Sequence, residues 1–280
     1  MTRQIRIVHH TGYAYREPVL GSHNEVRMTP RASREQWVLS SRIDIQPTPW
    51  VLSYRDYWGT KVTSFEIRER HSRLGVTSTA TVEVTRAGEQ APGAGWDELR
   101  DPGLEDRMVE MLTLTDHIDP GSELRDFAAG VAREASPAET VAAVAATIRE
   151  RVDYVPGVTH VRTSSRDVWK ARAGVCQDMV HVALGALRSV GIPARYVSGY
   201  LMPAADPVLG EVRKAESHAW LQYWDGAWVG LDPTNDSAPG EFHVEVGIGR
   251  DYSDVPPLRG IYSGAAESEM YVEVEMTVLA

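Results

Sequence analysis

The chain has a single cysteine, Cys176, among 280 residues. An intramolecular disulfide is therefore impossible, and zinc sites built on two or more thiolates are excluded. Long apolar runs are missing as well. Residues 1–15 lack an apolar stretch of signal-peptide length, and no segment approaches the ~20 apolar residues of a membrane span. A soluble cytoplasmic protein is the default expectation. Positive charge is neither abundant nor clustered, with 29 Lys and Arg against 39 Asp and Glu and a formal net charge of −10. Scattered arginines without a basic run argue against nucleic acid as a partner. The negative balance reads first as a solubility feature. No internal repeat is visible, and residues 1–86 contain no convincing long helix.

What is present is an ordinary globular composition, 42% hydrophobic and 24% charged, which at this length can bury a core as one large domain or two smaller ones. Apolar residues alternate with polar ones in Gln4–His9, Ser41–Ile45 and Ala80–Val84, which predicts strands, and Asp56-Tyr57-Trp58-Gly59 predicts a reversal. Short strands with no helix beside them predict a small β-sandwich over residues 1–86. The Gly- and Pro-rich run AGEQAPGAG reads as a linker within 87–96.

From residue 97 to 280, helices precede strands, the pattern of an α+β domain and not of alternating βαβ units. Ser136-Pro137-Ala138-Glu139 is a capping-box start, and Val141, Val144, Ala145, Ile148 and Val152 then fall on one helical face. Further helices are predicted near 165–173 and from Cys176 to the stop at Gly191-Ile192-Pro193. Strands are predicted over 195–202, 217–224, 228–231, 242–248 and 270–280.

Gly174-Val175-Cys176-Gln177-Asp178 places the thiol at the start of an apolar helix. Unpaired N–H groups and the positive end of the helix dipole favour a thiolate there. A lone cysteine is as often a small buried hydrophobe, and this segment alone does not choose. His218 opens a predicted strand, Asp225-Gly226 is a turn, and the returning strand ends at Asp232. If Trp224 faces Trp228 across a three-residue turn, His218 and Asp232 share one face of the hairpin. A two-residue turn would put them on opposite faces. With a shared face, Cys176 could attack an acyl carbon, His218 could move the proton, and Asp232 could orient the imidazole. The Cys176 N–H would be an oxyanion donor. Asp178 reads as a stabiliser of its helix N-terminus, His181 as structural and Asp225 as a turn residue, while Asn235 either supports Asp232 by hydrogen bonding or serves the turn, the turn being favoured.

The segments GVCQD (174–178), SHAWLQYW (217–224) and WVGLDPTND (228–236) resemble, in order and spacing, the transglutaminase-like superfamily. The resemblance is to its bacterial branch of candidate cysteine proteases. His10-Thr11, Tyr13, Tyr15 and Ser22–Pro30 resemble that branch's N-terminal β-domain, and Val246–Pro257 its C-terminal signature. The resemblance implies an N-terminal β-sandwich followed by a papain-like core, with a helix-borne cysteine and an antiparallel sheet carrying histidine and aspartate. It maps the triad onto Cys176, His218 and Asp232. It implies a peptide or protein amide substrate handled through an acyl-enzyme, with hydrolysis favoured over transamidation and no cofactor. No acidic calcium loop is found. The alternatives are a catalytically silent binding module and a metal site built from histidines and Asp232, for which no HExxH run exists.

Overall fold

The structure is a computed structural model that describes residues 2–86, 93–161, 163–202, 207–264 and 267–280. Strands open the chain: β1 (Thr2–Val19), β2 (Gly21–Val26), β3 (Gln36–Gln46), β4 (Trp50–Arg55), β5 (Lys61–Ile67) and β6 (His71–Thr85). Alternation sets their faces. Along β6, Leu74, Val76, Ser78, Ala80, Val82 and Val84 are all buried, while the residues between them are not. The Asp56–Gly59 reversal forms as predicted, with Gly59 at φ +77° and the Asp56 carboxylate accepting from the Trp58 and Thr60 amides.

Helices follow: α1 (Trp96–Leu99), α2 (Pro102–Arg107), α3 (Val109–Leu112), α4 (Gly121–Ala132) and α5 (Pro137–Arg151). The expected capping box of α5 is present. The Ser136 hydroxyl accepts from the Glu139 amide, and the Glu139 carboxylate accepts from the Ser136 amide at 2.8 Å. The two-residue strand β7 (Asp153–Tyr154), helix α6 (Ser165–Ala171) and strand β8 (Ala173–Gly174) lead into α7 (Cys176–Ser189). Every residue of α7 from Asp178 to Arg188 is buried, so it is a central helix rather than an amphipathic surface one. It contacts α4, α5 and α6 as well as two strands, β9 (Ala194–Leu201) and β10 (Val212–Trp224). Gly191 stops it as predicted, at φ +85°, and the Ile192 amide reaches back to the Leu187 carbonyl.

The remaining strands are β11 (Trp228–Leu231), β12 (His243–Gly249), β13 (Leu258–Ser263) and β14 (Ser268–Val278). One large sheet runs in the order β12-β9-β10-β14-β1-β6-β3, with β11 also paired to β10. A second sheet runs β13-β2-β5-β4. Tyr15, Val19, Phe65, Ile67, Leu74 and Val76 share a core formed from both sheets, which makes the N-terminal sandwich. The expected α+β architecture is therefore observed, with its helices clustered round α7. Tertiary pairing adds something local patterns do not carry. The C-terminal strand β14 lies between β1 and β10, and β13 completes the second sheet beside β2. The N-terminal layers and the helical half thus share one continuous sheet across the expected boundary at 86. Residues 87–92 of the expected linker lie outside the described residues. Among the described residues, no helix is long and apolar enough to cross a membrane.

Because β14 pairs with both β1 and β10, cutting the backbone at an engineered protease site within 87–96 is expected to leave the two fragments bound to each other. Size-exclusion chromatography of the nicked protein in native buffer checks this. Separate elution of an intact 1–86 fragment would show that the sandwich stands without β13 and β14.

Candidate active site

The β10–β11 hairpin closes with Trp224 opposite Trp228 and Leu221 opposite Leu231, the three-residue connection that puts His218 and Asp232 on one face. The His218 Nε2 lies 2.7 Å from Asp232 Oδ2. The imidazole also lies close enough to the Cys176 side chain for it to raise the ring's pKa. With Nε2 committed to the carboxylate, Nδ1 is the ring nitrogen left for the sulfur. All three predicted residues are thus brought together, from α7, from β10 and from the residue just beyond β11.

The thiol is half-buried at the first position of α7. The Cys176 and Gln177 amides have no hydrogen-bond partner among the described residues, as expected for a helix start. The chain before them is fixed by Asp178, whose Oδ2 accepts from the Val175 amide at 2.9 Å and from the Thr159 hydroxyl at 2.6 Å. Burial pushes this carboxyl up from its ordinary value, against those two hydrogen bonds. Asp178 therefore does more than complement a helix dipole: it folds back over Gly174, where a Cβ would lie 2.8 Å from its own.

Asp232 is fully buried. Burial alone would raise its pKa, but donors outweigh it and hold the carboxyl well below the usual carboxylate range. Oδ2 receives His218, the Asn235 side-chain amide at 2.7 Å and His243 Nε2 at 3.2 Å. Oδ1 receives the backbone amides of Thr234 at 3.0 Å and Asn235 at 3.3 Å. Asn235 is thus both a turn residue and a direct support of the carboxylate, so the less favoured of its two expected roles is also present. Asp225 is likewise more than a turn residue, since its Oδ1 accepts from the Ala94 amide at 2.5 Å.

His243 was not singled out by sequence reasoning. It begins β12, two strands from His218, and nothing in the local pattern distinguishes it from other strand-opening histidines. The Gly240 amide donates to its Nδ1 at 3.0 Å, so that nitrogen carries no proton. Burial lowers its pKa despite Asp232, so the neutral ring carries its proton on Nε2 and donates to the carboxylate. The ligand-capable atoms of His218, Asp232 and His243 lie within 4.8 Å of one another, close enough for a metal to bridge. A metal would need the lone pair of His243 Nε2, and the Gly240 donor favours the opposite tautomer. Gly199 sits opposite His218 on β9, and a side chain there would collide with the Trp220 ring and the Val244 carbonyl. Its absence lets Trp220 lie under both histidines, with centroids 6.2 Å from His218 and 5.3 Å from His243.

For His218, burial lowers the pKa, but the hydrogen bond to Asp232 and the neighbouring Cys176 more than offset it and raise the ring to about 9. Tyr154 is pushed up to about 12 by burial and by the neighbouring Cys176 and Glu216, so a neutral phenol stands near the thiol. His181 plays no part in this network. It is fully buried, burial takes its pKa down to about 3, and its Nε2 accepts from the Tyr252 amide. Asp251 accepts from Thr115 and Ser253, and the Arg188 guanidinium from α7 donates to the Arg250 carbonyl, so residues 250–252 serve the fold.

Two family profiles match the chain. One, the bacterial transglutaminase-like N-terminal region, covers residues 5–83, and the other, the transglutaminase-like superfamily core, covers residues 125–233. An uncharacterized protein of Mycobacterium leprae is 42% identical over 277 residues, 99% of each chain. The chain belongs to the transglutaminase-like superfamily. Its fold is shared with a candidate cysteine protease from Cytophaga hutchinsonii, at TM-score 0.80 and 21% identity, over 100% of this chain and 92% of that one. A protein-glutamine gamma-glutamyltransferase of Pseudomonas aeruginosa is 37% identical over 78 residues, 26% of this chain and 11% of its own length. Cys176, His218 and Asp232 all fall within the 125–233 match.

Because the folded-state pKa of His218 is raised, its ion pair with Asp232 stabilises fully below the ordinary value near 6.5 and is lost as pH rises through about 9. Asp232→Asn is expected to return His218 toward its ordinary value and flatten the stability profile across that window. An NMR titration of the ring and urea unfolding at several pH values check both.

Proposed function

We propose that this protein is a thiol acyl-transfer enzyme acting on peptide or protein amides, with Cys176 as nucleophile, His218 as proton carrier and Asp232 as the anion that orients the imidazole. The observation that carries the proposal is the placement of His218, which engages the buried Asp232 carboxylate at 2.7 Å and neighbours the Cys176 thiol closely enough for it to raise the ring's pKa. The proton of Cys176 passes to His218, and the sulfur attacks the amide carbon to form a C–S bond. The unpaired Cys176 amide is a donor for the oxyanion. The C–N bond then breaks as the imidazolium gives its proton to the leaving amine. Water attacks the thioester, its proton goes to His218, and the thiolate is released with the carboxylic acid. No metal or organic cofactor enters this sequence.

Hydrolysis is the favoured outcome, supported by the shared fold with a candidate cysteine protease. Attack by an amine instead of water is the second reading, and the local likeness to a protein-glutamine gamma-glutamyltransferase favours it. Mass spectrometry of products formed in ¹⁸O-water, with and without a primary amine, separates the two. A catalytically silent binding module is a third possibility, and it would form no acyl-enzyme with any amide or ester. We propose a cytoplasmic location, where a lone thiol stays reduced, and cell fractionation checks it.

Profiling of peptide and amide libraries is expected to show activity that Cys176→Ala abolishes. Asp232→Asn is expected to lower turnover about 10³- to 10⁴-fold while the fold persists, because the imidazole loses its orienting anion. Asp236→Asn, whose carboxylate lies outside the network, should leave turnover nearly unchanged. Acylation by amide substrates is expected to fall as pH rises through about 9, where the imidazolium that protonates the leaving amine is lost. Equal rates for wild type and Asp232→Asn would remove Asp232 from the mechanism.

A further inference from the structure

Strand β10 changes partners along its length. Val212–Ala215 pair with β14, and on that same side Leu221–Trp224 pair with β11. Among the described residues no strand pairs with the five residues between, Glu216 to Trp220, on that side. His218 is the middle one. Among the described residues, the facing strand β14 is also unpaired on that side. Its residues 274–277 meet β10, but 268–273 pair only with β1 on the far side. The sheet therefore forks beside His218.

The direction of the backbone groups follows from alternation in an antiparallel sheet. The Trp224 amide donates to the Pro193 carbonyl on the β9 side, so even-numbered residues of β10 point toward β9. The amide and carbonyl of Ser217 then point into the fork. On the other bank, the Val278 carbonyl accepts from the Gly210 amide on the β10 side, while the Tyr271 carbonyl accepts from Thr11 on the β1 side. The amides and carbonyls of Val272 and Met270 therefore face the fork as well. Ser217, Met270 and Val272 are all exposed. A cavity of about 790 Å³ occupies the fork, lined by Glu216, Ser217, His218, Tyr271, Val272 and Glu273 among others. Exposed sheet edges are usually covered or blunted by charge, because they invite another strand. Here, among the described residues, two free edges face each other across the space next to the histidine that neighbours the thiol.

We propose that the substrate enters this fork as an added β-strand, an extended peptide whose backbone hydrogen-bonds Ser217 on one bank and Val272 and Met270 on the other. This inference rests on the acyl-transfer reading of the site and names its substrate class: a segment of several residues in extended conformation around the reacting amide. Helical segments and small isolated amides are poor fits. Affinity comes from main-chain bonds, so preference among side chains is broad.

The test uses reagents in which the Cys176 sulfur displaces a halide, giving a thioether and free chloride from the chloromethyl ketones or free iodide from iodoacetamide. Acetyl-tetra-alanyl chloromethyl ketone is compared with its single-alanine counterpart and with iodoacetamide on the full chain. The tetra-alanyl reagent is expected to label Cys176 about ten-fold faster than the single-alanine one, the effect of one or two backbone hydrogen bonds. In Val272→Pro that advantage should vanish while the iodoacetamide rate is unchanged. The lost N–H faces the fork, so no bond to β1 is removed. A tetra-alanyl reagent with methylated backbone nitrogens should lose the advantage on the wild-type chain, which tests the idea without altering the protein. Equal rates for long and short reagents, or an advantage that survives both changes, would overturn the inference and leave the nucleophile standing. If instead all three reagents label wild type no faster than His218→Ala, the acyl-transfer reading itself fails and takes this inference with it.

Discussion

A fully buried carboxylate is tolerable only if its charge is matched by donors, and Asp232 accepts five. Much of the surrounding structure follows from that requirement. The turn after β11 supplies two backbone amides and the Asn235 side chain. Strand β12 supplies His243, whose tautomer is set in turn by the Gly240 amide. What remains for His218 is a strong, directed hydrogen bond that raises its proton affinity while holding the ring toward Cys176. Each donor also removes a degree of freedom from the carboxylate. The imidazole is thereby positioned by a rigid framework of sheet and turn and not by a mobile loop.

Strand β10 transmits this order across the molecule. It carries His218 and Trp220, pairs with β9 and β11, and joins β14, which in turn holds the first strand of the chain. The N-terminal sandwich is therefore not an appendage to the helical half. Its strands extend the sheet on which the histidine lies, and the change of partner from β14 to β11 opens the gap beside that histidine. A sheet that stayed fully paired along β10 would have covered that edge of the His218 backbone.

On the other side of the site, α7 presents the thiol because its first turn is fixed by burial and its N-terminus by Asp178. The helix is buried all round from Asp178 to Arg188 and enclosed by α4, α5 and α6, so its axis has little freedom to tilt. Asp178 and Gly174 form one device. The carboxylate folds back to hold Val175 and Thr159, and the glycine leaves the space in which it does so.

The sequence alone determined most of the elements and offered the candidate site residues, because these depend on local chemistry. The capping box at Ser136, the glycine stop at Gly191 and the alternation in β1 and β6 are all short-range, whereas the parity of the turn between His218 and Asp232 stayed open until the structure showed Trp224 opposite Trp228. Those three are each set by side chains and hydrogen-bonding groups within a few residues. Long-range pairing decided the rest. That β14 would sit between β1 and β10, that His243 would arrive at Asp232 from a strand two places away, and that Asn235 would turn its amide onto the carboxylate depend on contacts between residues distant in the chain or on one side-chain rotamer. No local pattern encodes them, since a histidine at a strand start and an asparagine in a turn look the same whether or not a buried anion lies within reach.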